Sequence, residues 1–405
     1  MQPAAHKGNF YYGWVIVLIG FFTVFTSLGL ARFAYGMLIP SMRAGLGISY
    51  DSAGFISSSN FAGYLASVAL APYVIKKLRP RLAISLGLLL IAVCMIMISS
   101  AHSTGRIAFL YALTGAGSGF ANIIIMVLIS HWFLRSKRGK AAGLMVTGNG
   151  VAIISAGYFV PFINSIYGAE GWRSVWLVMG IITLAVSLSA VILLRNSPED
   201  MGLSPIGHGA ATQSDPDKKH GTAKLLMALG LLYFIFGATY VIYGTFIVSS
   251  IINDYGLPES TAGMFWSFVG FFGLFSGIGF GMFSDKAGRK TGLAVVFAVQ
   301  TAAYLLAGSQ ISNITLGLSV FFYGIAAFSI PTIMAAAVGD YFGTAKAAVS
   351  FSIITFFFAA GQTGGPSLAG VLAEHTGTFS GSYLLSGALT ACGVVIALFL
   401  PTPDA

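Results

Sequence analysis

The chain has 405 residues, 56% of them hydrophobic and only 8% charged, with a mean hydropathy of +0.85. Soluble domains carry about 25% charged residues, so a soluble protein is excluded and an integral membrane protein is required. A formal charge of +9 would suggest a nucleic-acid partner in a soluble chain. Here the basic residues sit in turns between apolar runs, where they act as topology signals and anionic-lipid contacts.

A bilayer core takes roughly 20 apolar residues per helix. On that measure the chain divides into twelve spans: 11–40, 51–75, 82–100, 106–134, 139–167, 172–194, 224–252, 259–284, 290–308, 312–339, 345–373 and 379–400. The runs are continuous rather than alternating, which excludes a β-barrel. The first is too long for a signal-peptide core and reads as a retained helix. It carries Arg32, in T-S-L-G-L-A-R-F-A-Y-G-M-L-I-P, with no acid nearby in sequence.

Later spans carry uncharged polar groups. Span 2 has Asn60 and Tyr64, one turn apart on one face. Span 4 has Asn122, and span 5 has Asn149 within T-G-N-G. Span 7 has Tyr240 and Tyr243, span 10 has Tyr323, and span 11 has Gln362 within A-G-Q-T-G-G-P. Cys94 and Cys392 both lie inside spans and suggest apolar packing rather than a disulfide or a metal site. The Phe-rich run Phe356–Phe358 reads as lipid-facing or core.

The longest polar stretch, Arg195 to Gly221, is rich in Pro, Gly, Asp and Ser and reads as a flexible linker. It divides the spans six and six: a first bundle over 1–194, a linker over 195–223 and a second bundle over 224–405. The halves echo each other. Lys76 and Arg79 match Lys286 and Arg289, Lys140-Ala-Ala matches Lys346-Ala-Ala, and Pro161 matches Pro366, all at nearly one offset. The fold class expected is all-α integral membrane, with twelve transmembrane helices in two pseudo-symmetric six-helix bundles. Such repeats place a site near the membrane midplane, between the halves.

Of the 21 Lys and Arg, all but Arg32, Arg43, Arg106 and Arg173 fall in the N-terminus or the turns after even-numbered spans. The positive-inside rule then puts both termini in the cytoplasm.

The turn after span 8 reads G-M-F-S-D-K-A-G-R-K, Gly281 to Lys290. This resembles the signature loop of the major facilitator superfamily, with Gly281, Asp285, Lys286, Gly288, Arg289 and Lys290 in place. The resemblance implies that Asp285, Gly288 and Arg289 steady one conformation at the cytoplasmic face. The first-half copy has Ile75 for the acid and Leu78 for the glycine. The stretches H-W-F-L-R-S-K-R-G-K-A-A-G-L, G-W-R and S-P-E-D-M-G-L-S-P are similar to the monocarboxylate and oxalate/formate transporter branch. L-A-R-F-A-Y and G-A-T-Y-V-I-Y-G-T-F are similar to a little-characterised bacterial group related to it. The resemblance covers the whole chain and implies a cavity lined by spans 1, 4, 7 and 10.

None of the twelve acidic residues falls mid-span, so the usual carboxylate for a cationic drug or a proton relay is missing. The one charge inside a span is positive. A guanidinium suits a carboxylate because its planar fork reaches both oxygens. The expected function is a bacterial inner-membrane transporter of a small organic anion, most simply a monocarboxylate. It would work by alternating access, proton-coupled or by anion exchange. The expected substrate contacts are Arg32, Asn122, Asn149, Tyr240, Tyr243, Tyr323 and Gln362. Competing readings remain at this level: Arg32 snorkelling toward an interface, and each polar group serving only as a helix-to-helix hydrogen bond. An efflux pump for neutral or amphipathic compounds and a non-transporting sensor are the rival functions. No nucleophile–base pair, phosphate loop or metal-ligand cluster indicates an enzyme, and no cofactor is expected. The remaining partners expected are protons and membrane lipids, with a monomeric chain.

Overall fold

A computed structural model describes residues 11–207 and 222–402. Among these residues the one β feature is an isolated bridge between Phe133 and Ile206. The first span comprises α1 (Gly13–Val24), a π-helical stretch (Phe25–Phe33) and α2 (Tyr35–Leu46). Spans 2 to 6 are α3 (Tyr50–Lys77), α4 (Pro80–Ser99), α5 (Thr104–Trp132), α6 (Arg135–Tyr167) and α7 (Gly171–Leu193). The second half holds α8 (Ala223–Asn253), α9 (Glu259–Ala287), α10 (Arg289–Ser309), α11 (Asn313–Ala326), α12 (Ser329–Thr376) and α13 (Ser380–Leu398). α12 is two helices joined across Gly343, whose φ of 68° no helix interior permits. Its first part completes the tenth span begun by α11, and its second part is the eleventh. The described residues thus contain the twelve spans that the sequence predicts.

Large apolar side chains such as Phe109, Phe162, Ile278, Ile314 and Phe356 point outward, as expected where the surroundings are lipid. Lipid tails give no hydrophobic drive between helices, so close packing at small residues holds them together. A methyl group at Gly63 of α3 would collide with the carbonyl of Ala112 on α5, and one at Gly115 with the carbonyl of Asn60. These two helices touch backbone to backbone. The same holds between halves, where Gly54 faces Pro366 and Gly157 faces Gly263.

The two ends of the molecule differ. One carries Lys76, Lys77, Arg79, Lys137, Lys286 and Lys290 and is the basic end. The other carries the turns at 47–49, 168–170, 254–258 and 377–379 and is the far end. Every hydrogen bond between the halves, among the described residues, lies in the far-end part of the seam. Glu374 accepts from the Tyr50 backbone N–H at 2.7 Å, and Asn253 Nδ2 donates to the Tyr50 hydroxyl at 2.6 Å. Ser57 and Thr245 hydroxyls lie 3.3 Å apart, and the Ser58 hydroxyl bonds with that of Ser367 at 2.8 Å. Across the other seam, Asn164 Nδ2 donates to Glu259 at 2.6 Å and the Ser267 hydroxyl to the Ile154 carbonyl at 3.0 Å. α3 runs on from Ser58 to Lys77, about 28 Å by helical rise, without another hydrogen bond to the second half.

The linker is only partly as expected. Its first residues, through Gly207, are bound to the first half. Pro198–Met201 forms a turn closed by a Ser197–Asp200 capping box. Leu134 N–H donates to the Ile206 carbonyl at 2.9 Å, and the Tyr11 hydroxyl donates to the Ser204 carbonyl at 3.1 Å. The Pro, Gly and Asp that suggested flexibility are here the residues of a capped turn. Residues 208–221 lie outside the described residues.

The Gly63–Gly115 contact yields a direct test. Gly63→Val should lower thermal stability in detergent by several degrees, since overpacking costs about 1–3 kcal/mol. Gly105→Ala, where a methyl would meet nothing within 4 Å, should leave it unchanged.

Candidate functional site

The first span changes winding where its charge sits. Ala34 N–H bonds to the Gly29 carbonyl at 3.1 Å, five residues back, which is the π pattern. π-helical turns are rare and occur mainly at functional sites. Gly29 makes room for the close approach of α6, since a methyl there would collide with Ala152 and crowd the Asn149 carbonyl. Arg32 occupies the last turn of the stretch.

The sequence suggested that the first span ends near Pro40. Instead Pro40 lies inside α2, which continues to Leu46. Arg32 is therefore 19 residues from Gly13 and 14 from Leu46, about 28 and 21 Å by helical rise. Its guanidinium lies against α3, with Cζ 4.4 Å from the ring centre of Tyr64 and 4.8 Å from that of Phe61. It does not reach for an interface. No acid pairs with it: the ion pairs among the described residues are Arg173–Glu170, Arg289–Asp285 and Arg289–Asp340. Two of its donors, Nε and Nη2, are buried and have no hydrogen-bond partner. These two share one edge of the guanidinium plane, the edge that takes a carboxylate through two parallel bonds.

Tyr240 of α8 approaches from the other half. Its hydroxyl lies within electrostatic reach of Arg32, and it accepts from Gln362 Nε2 of α12 at 2.5 Å. Gln362 is almost wholly buried, and its Oε1 has no partner. With the amide turned over, Nε2 becomes the free atom instead. The Tyr240 ring stacks on Phe236 at 4.7 Å and lies 6.5 Å from Phe33 of the first span. Arg32, Tyr240 and Gln362 thus lie together at the seam.

The other expected contacts stand apart from Arg32. Tyr243 points into the second half, where its hydroxyl lies 2.9 Å from that of Ser319 and its ring stacks on Tyr323 at 4.0 Å. Tyr323 donates to the Tyr240 backbone carbonyl at 2.7 Å, so it supports the segment that presents Tyr240. Asn149 is buried on α6 and Asn122 half-buried on α5, each with a partnerless Oδ1. Neither bonds to Arg32 among the described hydrogen bonds.

The sequence reading missed the aromatic surroundings. Phe61 was hidden inside S-N-F-A-G-Y beside Asn60, whose own amide turns away to the Tyr111 carbonyl at 3.0 Å. Phe358, which the sequence could not separate from its neighbours, faces inward and stacks on Tyr233 at 4.5 Å, while Phe356 is exposed. A break in span 10 at Ala327–Phe328 was also unforeseen. Ser276 of α9 satisfies it, accepting from Phe328 N–H at 3.0 Å and, through its carbonyl, from the Ser329 hydroxyl at 3.0 Å. Phe328 meets Phe33 edge-on at 5.7 Å. Non-helical backbone at membrane depth is tolerated only when buried or lining a cavity, and here it abuts the π-helical stretch.

At the basic end, Arg289 donates to Asp340 at 2.7 Å, to Asp285 at 2.5 Å and to the Ser284 hydroxyl at 2.8 Å. Gly288 makes the turn at a φ of 86°. Asp340 joins a pair that the sequence had already singled out. The first half has no such acid, and Arg81 there donates to the Val191 carbonyl at 2.6 Å. No group of His, Cys, Asp or Glu among the described residues could hold a metal ion.

Comparison with known proteins agrees with this architecture. A family profile described as "Uncharacterised MFS-type transporter YbfB" matches residues 24–398. A probable sulfoacetate transporter of Cupriavidus necator is 24% identical over 89% of this chain and 87% of its own length. Human monocarboxylate transporter 2 is 21% identical over 95% of this chain and 84% of its own. Among solved structures, a D-xylose–proton symporter aligns with a TM-score of 0.77 at 17% identity, covering 97% of this chain and 99% of its own. A helical fold that repeats six spans twice, a filled signature loop and a profile match over nearly the whole length converge on one assignment: this membrane protein belongs to the MFS-type transporter family of YbfB, within the major facilitator superfamily.

Proposed function

We infer that the chain carries a small organic anion, most simply a monocarboxylate, across the bacterial inner membrane by alternating access of its two halves. The observation that carries this reading is the pair of buried, partnerless donors on one edge of Arg32. A buried donor without a partner costs about 1–3 kcal/mol, and an arriving carboxylate would satisfy both at once while neutralising the charge. Tyr240 and Gln362 would orient the anion from the opposite half, with Tyr323 supporting Tyr240. The names of the sulfoacetate and monocarboxylate relatives support an acid substrate. Asn122 and Asn149 are second-rank contacts in this reading, and Tyr243 serves packing.

The basic end is taken as cytoplasmic by the positive-inside rule, with both termini there and the chain acting as a monomer. The far-end hydrogen bonds then close the outer side, and a basic end without hydrogen bonds between the halves, among the described residues, fits an inward-facing state. Asp285, Arg289 and Asp340 would steady the second half in that state. Coupling runs either through a proton accompanying the anion or through anion exchange.

Uptake of labelled small carboxylates into proteoliposomes tests the site. Arg32→Gln should lower kcat/KM by about tenfold to a hundredfold, the worth of a charge-assisted bond pair. Arg32→Lys keeps the charge but loses the fork, and should recover only part of that. Full activity in Arg32→Gln would refute the reading, and export of a hydrophobic compound untouched by the substitution would favour an efflux pump. Tyr240→Phe should raise KM by roughly fivefold with little change in folding, checked by the elution profile in detergent. Arg289→Gln, which loosens the basic-end charge network, should alter the maximal rate more than KM.

A further inference from the structure

The guanidinium of Arg32 is held from the side as well as vacant at its edge. Phe61 and Tyr64 stand three residues apart on α3 and so share one face of it. Their ring centres lie 4.8 and 4.4 Å from Cζ, within cation–π range. Both ring faces lie beside the cation, while its buried Nε and Nη2 edge has no partner and is the edge to which an anion can add.

α3 is itself pinned at this level. Asn60 donates to the Tyr111 carbonyl at 3.0 Å, and Gly63 lies on the Ala112 backbone. Tyr111 in turn donates to the Arg32 carbonyl at 3.4 Å. The rings therefore stand on a helix fixed to α5, and α5 also reaches the arginine's backbone. α3 also carries Tyr50, Ser57 and Ser58, the first-half partners of the α3–second-half seam.

We propose that Phe61 and Tyr64 are positioning residues for transport: they form a cation–π seat that holds the Arg32 guanidinium in place, with its two-donor edge presented to the anion. This rests on Arg32 being the anion's counter-ion. Without the seat, a flexible side chain on a widened helical turn must be ordered anew at each binding event, which weakens affinity without altering the conformational step. The seat acts through its ring faces, so the Tyr64 hydroxyl is dispensable to it.

Transport kinetics of the full-length protein in proteoliposomes, with a carboxylate that the wild type carries, test this. Tyr64→Leu, alone and with Phe61→Leu, should raise KM by about tenfold, the effect of a desolvated cation–π contact, with kcat within about twofold. Tyr64→Phe should behave as wild type. An unchanged KM in the double variant overturns the proposal, and so does a Tyr64→Phe variant as impaired as Tyr64→Leu. A second readout needs no substrate. The emission of Y64W should shift when R32Q is added, because the cation leaves the indole face. No shift overturns the seat. If the wild type carries no carboxylate while the emission shifts, the counter-ion reading fails and the seat's geometry stands, and the proposed role in transport falls with that reading.

Discussion

An arginine deep in the membrane with no acid beside it is the constraint around which the rest of the molecule is arranged. Placing such a charge at the bilayer centre costs about 2.5–3.5 kcal/mol even on permissive scales. Two aromatic faces offset part of this, since a desolvated cation–π contact is worth about 2 kcal/mol. Tyr240 adds a hydroxyl from the opposite half. What remains unmet is directional: two donors on one edge. The π-helical stretch, the approach of α6 at Gly29 and the break in span 10 all gather within contact range of this residue or its neighbour Phe33.

The seam between the halves follows different rules at its two ends. At the far end it is made of small residues and single hydrogen bonds, a few of them ending on carboxylates. Such contacts are individually weak in membranes, commonly near 0.6 kcal/mol each. A seam of this kind can part and re-form without breaking either half. Within each half the close backbone approaches are joined by contacts of other kinds: stacked rings from Tyr233 to Phe358 and the Arg289 charge network.

Much of this was legible in the sequence. The spans followed from apolar length alone, and the filled loop Gly281–Lys290 drew attention to Asp285 and Arg289, which pair in the structure. Arg32 stood out because charge is so rare in these runs. The misreadings have physical causes. Pro40 looked like a helix end, but proline lacks only one backbone donor, and α2 absorbs the loss and goes on to Leu46. Tyr240 and Tyr243 looked like a pair, yet they stand about 60° apart around the helix, and Ser319 and Tyr323 take up the Tyr243 side chain within the second half. Asp340 could not be joined to Arg289 from the sequence, because their contact spans 51 positions. The linker's first turn was hidden by residues that serve equally well in loose chain and in capped turns.

α3 carries Ser57, Ser58, Ser59 and Asn60 in succession, and it alone among the spans falls short of the hydropathy expected of a self-sufficient membrane helix. Its polar face is covered by α5 and, on the other side, by the second part of α12, whose contacting residues Pro366, Ser367 and Glu374 are made more than 300 positions later. During synthesis this helix must therefore enter the bilayer with help from its neighbours and wait for its last partner. A chain cut short before residue 366 would leave a polar stripe facing lipid or the insertion machinery. The residues that join the halves thus also cover the polar face of α3 only once the second part of α12 has been made.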